Sequence, residues 1–99
     1  MNEKHIIEII NLIFEIEKKV KNNGYNKLDR NILRFKDLVE NMGYCYSDPT
    51  GEEYRETRTD CQATIIGEKN PMLITDTIKP LIFSNDNQII QQALVIVNG

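Results

Sequence analysis

The sequence predicts an α+β fold, in which an N-terminal helical hairpin or broken helix precedes a small antiparallel β-domain. Apolar residues recur at helical spacing in residues 1–43, whereas residues 44–99 contain short alternating or continuous apolar stretches bounded by turn residues. We therefore divide the chain into a helical dimerisation region, 1–43, and a β-domain, 44–99. A chain of 99 residues can bury one modest core.

The first helix is predicted over residues 3–21, because isoleucines recur every three or four positions. Asn2 is a suitable N-cap, and Asn22-Asn23-Gly24 ends the pattern. This apolar stripe is wider than one neighbouring helix would cover, so we expect the helix to bury two sides.

The second helix is predicted over residues 27–42, with Asn26 as its cap. Its apolar residues step by four and three positions, which is the spacing of a heptad seam. Because the linker between them is short, the two patterns predict a hairpin or one helix broken at Gly24. We expect five helical residues to be buried, partly against a second chain: Ile9, Ile13, Ile16, Phe35 and Val39.

Three strands are predicted, near residues 57–66, 73–83 and 89–97, and the short turns between them favour antiparallel pairing. Pro80 cannot donate to a strand ladder, so an edge, a bulge or a break is expected there. Cys61 is predicted to face inward as a small core residue. The residues expected to be buried in the sheet are Ile65, Ile74, Ile78, Val95 and Val97.

The charges of the two halves differ. Residues 1–43 hold eight Lys and Arg against seven Asp and Glu, whereas residues 44–99 hold four against eight, a net charge of −4. An acidic β-domain argues against nucleic acid as a partner. No apolar run approaches the roughly 18 residues of a membrane helix, so no membrane association is expected. Cys45 and Cys61 match no metal or redox spacing, which favours reduced thiols in a cytoplasmic protein.

Few residues suit catalysis or metal binding. His5 is the single histidine, and it lies in the first turn of a helix with no cysteine or carboxylate motif near it. Four clustered carboxylates could do acid–base work or hold a hard cation, but surface ion pairs with arginine explain them better. No nucleotide-binding or nucleophile motif is present. We therefore expect no enzyme, no metal and no cofactor. The four carboxylates are Glu52, Glu53, Glu56 and Asp60.

A partner-binding patch is predicted around Tyr54, Arg55 and Arg58, because tyrosine and arginine dominate interface hot spots. Leu81 and Phe83 are its expected apolar neighbours. The alternative interpretation is that both arginines form ordinary surface salt bridges. The patch interpretation predicts that Arg58→Ala weakens partner binding and leaves the melting temperature nearly unchanged.

Residues 48–98 carry a resemblance to a known family. Gly51-Glu52-Glu53-Tyr54 stands where that family has Gly-Glu-x-Phe, and residues 91–97 keep the alanine and valines of its last strand, Arg-Pro-Ala-x-Val-x-Val. Residues 79–83 match its Lys-Gly-Tyr element loosely. In these features the chain resembles the GrpE family, the nucleotide exchange factors of DnaK-class chaperones. It departs from the family in lacking the Asp-Pro and His-Glu-Ala elements, in having Gln91-Gln92 for Arg-Pro, and in its short helices.

The resemblance implies a co-chaperone. The helices would pair two chains, and the β-domain would bind the nucleotide-binding domain of a DnaK-class chaperone in its open form, so that ADP leaves faster. The alternative is a small dimeric protein–protein interaction module or regulator with no chaperone partner. A third hypothesis, a small enzyme, has the fewest residues to support it.

Overall fold

In the computed structural model, which describes residues 2–24, 27–68 and 71–99, two helices precede six strands in two three-stranded sheets. The predicted α+β class, with helices first and strands after, is therefore confirmed. The elements are α1 (Glu3–Asn22), α2 (Asp29–Asn41), β1 (Tyr44–Ser47), β2 (Cys61–Ile66), β3 (Leu73–Lys79), β4 (Leu81–Ser84), β5 (Ile89–Gln91) and β6 (Ala93–Asn98).

Both helices form where their periodicity predicts. The Asn2 side chain accepts the amide hydrogen of His5 at 3.0 Å, so the predicted N-cap of α1 is confirmed. Helix α2 begins at Asp29, two residues later than predicted, with Leu28 in the N-cap position. The expected cap, Asn26, lies outside the described residues. The face of α1 that is buried in the chain consists of Ile6, Ile10, Phe14, Glu17 and Val20.

The pairing of the strands differs from the prediction of one antiparallel sheet. The first sheet has the order β1-β4-β5 and is antiparallel. The second has the order β2-β6-β3, in which β6 pairs antiparallel with β3 but parallel with β2. The predicted strand 73–83 is broken at Pro80, as expected from its missing donor, and its two parts join different sheets. The predicted strand 89–97 is likewise divided at Gln92.

Two apolar clusters form the core of the described residues. The second sheet buries Cys61, Ile74, Ala93, Val95 and Val97, which confirms the inward position of Cys61. Two other predictions for this core are wrong, because Ile65 and Ile78 are 43% and 48% exposed. Ile65 lies near the end of an edge strand, and a register shift between Thr77 and Lys79 turns Ile78 outward.

The other cluster joins both helices to the first sheet. Ile6 and Ile10 of α1, Val39 of α2 and Ile82 of β4 are all buried in it. Polar contacts add to this attachment, since the Asn11 and Gln91 side chains exchange two hydrogen bonds at 3.1 and 2.8 Å. The helical region and the first sheet therefore share one core.

Candidate protein-interaction surfaces

The segment that contains the predicted partner patch runs from Glu52 to Asp60, and a turn introduces it. Asp48 accepts hydrogen bonds from the Thr50 hydroxyl at 2.6 Å and from the Thr50 amide at 3.0 Å. Burial opposes the charged form of Asp48, but these hydrogen bonds outweigh it and hold its pKa below the usual value. The chain therefore reverses at Asp48-Pro49-Thr50-Gly51, immediately before the segment.

Beyond the turn, the backbone of this segment pairs with the outer edge of β3. Ile74 accepts the amide hydrogen of Gly51 at 2.8 Å and donates its own to the Glu52 carbonyl at 2.9 Å. Tyr54 donates to the Met72 carbonyl at 2.9 Å. The start of the segment is therefore fixed to the second sheet.

Arg58 lies at the centre of the ion pairs in this segment. Its Nε and Nη2 donate to the two carboxylate oxygens of Asp60, each at 2.9 Å, while Glu52 lies 3.2 Å from Nη2. Nη1 also donates to the Glu53 carbonyl at 3.1 Å. The hydrogen bonds from Arg58 hold the pKa of Asp60 below its usual range, and the Asp60 carboxylate raises the pKa of Arg58. Arg58 is thus anchored in the loop, with its side chain only 21% exposed.

The other predicted patch residues are distributed around this anchor. Arg55 is 74% exposed and pairs with Glu53 at 3.4 Å. Tyr54 packs against the core of the second sheet, and Leu81 packs against the same core. Phe83 is half-buried in β4, whose partners belong to the first sheet. The structure therefore brings Tyr54, Arg55 and Arg58 into one segment and places Leu81 against the same core as Tyr54.

The predicted dimerisation residues are buried to different degrees. Val39 is 1% exposed and belongs to the chain's own core. Ile9, Ile13 and Phe35 are half-buried, whereas Ile16 is 45% exposed. Sequence reasoning assigned Val39 to the dimer because its heptad spacing does not distinguish a contact within the chain from a contact between chains.

Three exposed apolar side chains of the helical region were absent from the predicted dimerisation residues. Leu12 is 60% exposed, Leu38 is 62% exposed and Met42 is 47% exposed. Each of these side chains has apolar neighbours three or four residues away on the same side of its helix, so the exposed apolar side chains form one row along α1 and one along α2 and its C-cap. The α1 row is Ile9, Leu12 and Ile16, and the α2 row is Phe35, Leu38 and Met42.

A buried carboxylate between the helices and β1 was also missed. Glu17 is 8% exposed and lies 3.2 Å from the Lys36 ammonium, while the Tyr46 hydroxyl donates to it at 3.3 Å. Burial and the Glu17 charge raise the pKa of Tyr46. Glu17 lies between Phe14 and Val20 in the apolar stripe of α1, and this position is the sequence signal that could have revealed a buried carboxylate. This cluster ties α1, α2 and β1 together.

The two cysteines differ in burial, since Cys61 is buried and Cys45 is half-buried. Burial raises the pKa of the Cys61 thiol to about 11, which disfavours the nucleophilic thiolate, and both cysteines are free. Within the described part of the chain, no three His, Cys, Asp or Glu side chains are grouped so that they could hold a metal ion. None of the described helices has the length and apolar character needed to cross a membrane.

Comparisons with known proteins found no match among family models, curated proteins or solved structures.

Proposed function

We propose that this chain is a cytoplasmic homodimeric protein-interaction module, which pairs through its helices and presents the Glu52–Asp60 segment to another protein. The observation that carries the proposal is the pair of exposed apolar rows on α1 and α2. Large apolar side chains grouped on one side of a helix are typical of an interface.

A second copy is the occupant that best suits these rows. Each row repeats at three and four residues, which is the spacing at which helices pack side by side. Residues 1–43 carry eight basic and seven acidic side chains, a net charge of only +1, so two helical regions repel each other far less than two β-domains would. Two β-domains, each with a net charge of −4, would repel.

The Glu52–Asp60 segment supports the second part of the proposal. Tyr54 fixes the start of the segment to the second sheet, and Arg58 ties that start to Asp60 at its end, so Arg55 projects from an ordered loop. Such pre-organisation lowers the entropy lost on binding. Arg55 can offer its guanidinium to a carboxylate of a partner, since its pairing with Glu53 is long and exposed.

A more specific candidate is a GrpE-like co-chaperone that promotes ADP release from a DnaK-class chaperone. What favours it is the resemblance in residues 48–98 together with the exposed arginine beside Gly51-Glu52-Glu53-Tyr54. The decisive assay is release of a fluorescent ADP analogue from a DnaK-class chaperone, with and without this chain. Faster release that Arg55→Ala weakens supports the co-chaperone, whereas an unchanged release rate leaves only the interaction module.

Sedimentation equilibrium tests the dimer, and the chain provides a matched pair of variants. Leu38 and Leu33 are 62% and 61% exposed on the same helix, but only Leu38 belongs to the α2 row. Leu38→Glu should weaken the dimer by at least about tenfold, because a charge is then placed in an apolar contact. Leu33→Glu should leave it unchanged. A wild-type chain that stays monomeric at several hundred micromolar contradicts the proposal.

A further inference from the structure

The two edge strands of the second sheet, β3 and β2, differ in whether another segment of the chain is hydrogen-bonded to their outer side. The outer edge of β3 is covered by the chain itself, through the backbone hydrogen bonds that Gly51, Glu52 and Tyr54 make with Met72 and Ile74. β2 forms the other edge, beside β6. It is six residues long, whereas the edge strands of the first sheet have four and three.

The hydrogen-bond pattern shows which groups of β2 face outward. The carbonyls of Asp60 and Ile66 accept hydrogen bonds from the amides of Ala93 and Gly99 in the β6 segment. In a parallel pair, alternate residues of a strand bond to the same neighbour, so the even-numbered residues of β2 face β6. The amides and carbonyls of Cys61, Ala63 and Ile65 therefore point away from the sheet. No backbone hydrogen bond within residues 2–24, 27–68 and 71–99 reaches them from outside the strand ladders.

This edge lacks the features that normally block strand addition. The β2 sequence, Cys-Gln-Ala-Thr-Ile-Ile, contains no charged residue and no proline, and its pairing with β6 has no bulge. Ile65 is 43% exposed and Ile66 is 58% exposed, and because neighbouring residues alternate they lie on opposite faces of the sheet. An added strand would thus find unpaired backbone groups and an apolar side chain on each face.

We propose that β2 is an acceptor for an extended peptide segment of a partner protein, which adds to the second sheet as a further strand. The segment would have an uncharged, β-branched centre, since it must lie beside Ala63, Ile65 and Ile66. It would carry Lys or Arg at its ends, because the β-domain has a net charge of −4. This inference goes beyond the proposed function, because it places a partner segment at β2 rather than at the Glu52–Asp60 segment.

A second copy fits this edge less well than a basic partner. Pairing two β2 strands would bring two β-domains together edge to edge, each with four basic and eight acidic residues. Acidic residues also outnumber basic ones in the segment that leads into β2, since Glu52–Asp60 holds four carboxylates and two arginines. A segment with basic ends replaces this repulsion by attraction.

Amide exchange measured by NMR on the full chain tests the inference directly. The probe is the peptide Lys-Lys-Thr-Val-Ile-Val-Thr-Lys-Lys. In the free protein the amides of Ala63 and Ile65 should exchange rapidly, while those of Gln62 and Thr64 are already protected by β6. Saturating peptide should slow exchange at Ala63 and Ile65 by at least about tenfold and leave Gln62 and Thr64 nearly unchanged. Binding without this alternating protection would overturn the inference.

A substitution at Ala63 gives an independent test. Its amide faces outward, so Ala63→Pro removes an edge donor without removing a bond to β6. Ala63→Pro should lower affinity for the labelled peptide by at least about tenfold, whereas Ala63→Val, which keeps the amide, should stay within about twofold. Unchanged affinity in a folded Ala63→Pro protein would overturn the proposal. Should the proline prevent folding, the exchange experiment on the wild-type chain still decides.

Further controls distinguish a basic peptide from a second copy as the occupant of β2, and they distinguish the strand site from the helical dimer. The same peptide with glutamate in place of its lysines should bind at least about tenfold more weakly; equal binding would contradict the charge argument. Protection of Ala63 and Ile65 that rises with protein concentration alone would assign the edge to a second copy and overturn the inference. Leu38→Glu should leave peptide binding unchanged, so failure of the helical dimer and failure of the strand site are distinguishable.

Discussion

Replacing Arg58 with alanine should destabilise the fold far more than replacing Arg55. Arg58 makes two hydrogen bonds of 2.9 Å to Asp60 and another of 3.1 Å to the Glu53 carbonyl, with the two charged side chains 21% and 28% exposed. Charge-assisted bonds contribute about 1.5–3 kcal/mol when shielded, and exposed pairs about 0–1 kcal/mol. An intermediate cost of about 1.5 kcal/mol is expected, since the pair is only partly shielded from water.

Thermal unfolding followed by circular dichroism measures this difference. For a domain of this size, about 1 kcal/mol shifts the melting temperature by about 4–8 °C, so Arg58→Ala should lower it by about 6–12 °C. Arg55→Ala should lower it by less than about 4 °C, because Arg55 is 74% exposed and its 3.4 Å ion pair contributes no more than about 0.5 kcal/mol. This replaces the sequence-based expectation that Arg58→Ala leaves the melting temperature nearly unchanged.

The pH dependence provides a second check on the same pair. The folded chain lowers the pKa of Asp60, so its contribution is fully present above the unfolded pKa of about 3.9. It is lost as pH falls through the lower, folded value. The gap between wild type and Arg58→Ala should therefore shrink in acid. Equal melting temperatures for the two arginine variants at neutral pH would refute this reasoning.

Three further predictions concern the core, the thiols and the end of β2. Ile82→Ala should lower the free energy of unfolding by about 2–5 kcal/mol in urea titration, because Ile82 is completely buried; a cost below about 1 kcal/mol contradicts the shared core. At pH 8, iodoacetamide should modify Cys61 at least about tenfold more slowly than Cys45, given its raised pKa; equal rates would contradict its burial. Gly67→Ala should lower the melting temperature more than Gly24→Ala does. Both glycines have a positive φ, but of the two only Gly67 would place a Cβ against a backbone oxygen, that of Gly99, at 2.5 Å. Equal decreases in melting temperature for the two variants would exclude that clash.

Much of the fold follows from local patterns in the sequence. The helices are predictable because caps and apolar periodicity act within a few residues, as the Asn2 cap shows. The sheet topology is less predictable, because parallel pairing of β2 with β6 depends on residues more than thirty positions apart. Pro80 indicates a break in the sequence, but a missing donor does not reveal that β3 and β4 join different sheets.

The candidate surfaces were predictable only in part, for similar reasons. Composition identifies Tyr54, Arg55 and Arg58, but it does not show that Arg58 is held by Asp60 while Arg55 is displayed. The heptad spacing of α2 fits several seams, and packing against Ile82 decides that Val39 faces inward and Leu38 outward. The open edge of β2 depends on strand order, which no local pattern encodes.

The proposed dimer joins two copies of this chain through the exposed rows of α1 and α2. NMR on an equal mixture of methyl-labelled and unlabelled protein measures contacts between copies directly. We predict intermolecular NOEs at the methyl groups of Leu12, Ile16 and Leu38, and none at the buried Ile10 and Ile82. A spectrum without intermolecular NOEs at several hundred micromolar, or with NOEs confined to Ile65 and Ile66 of β2, would contradict this dimer.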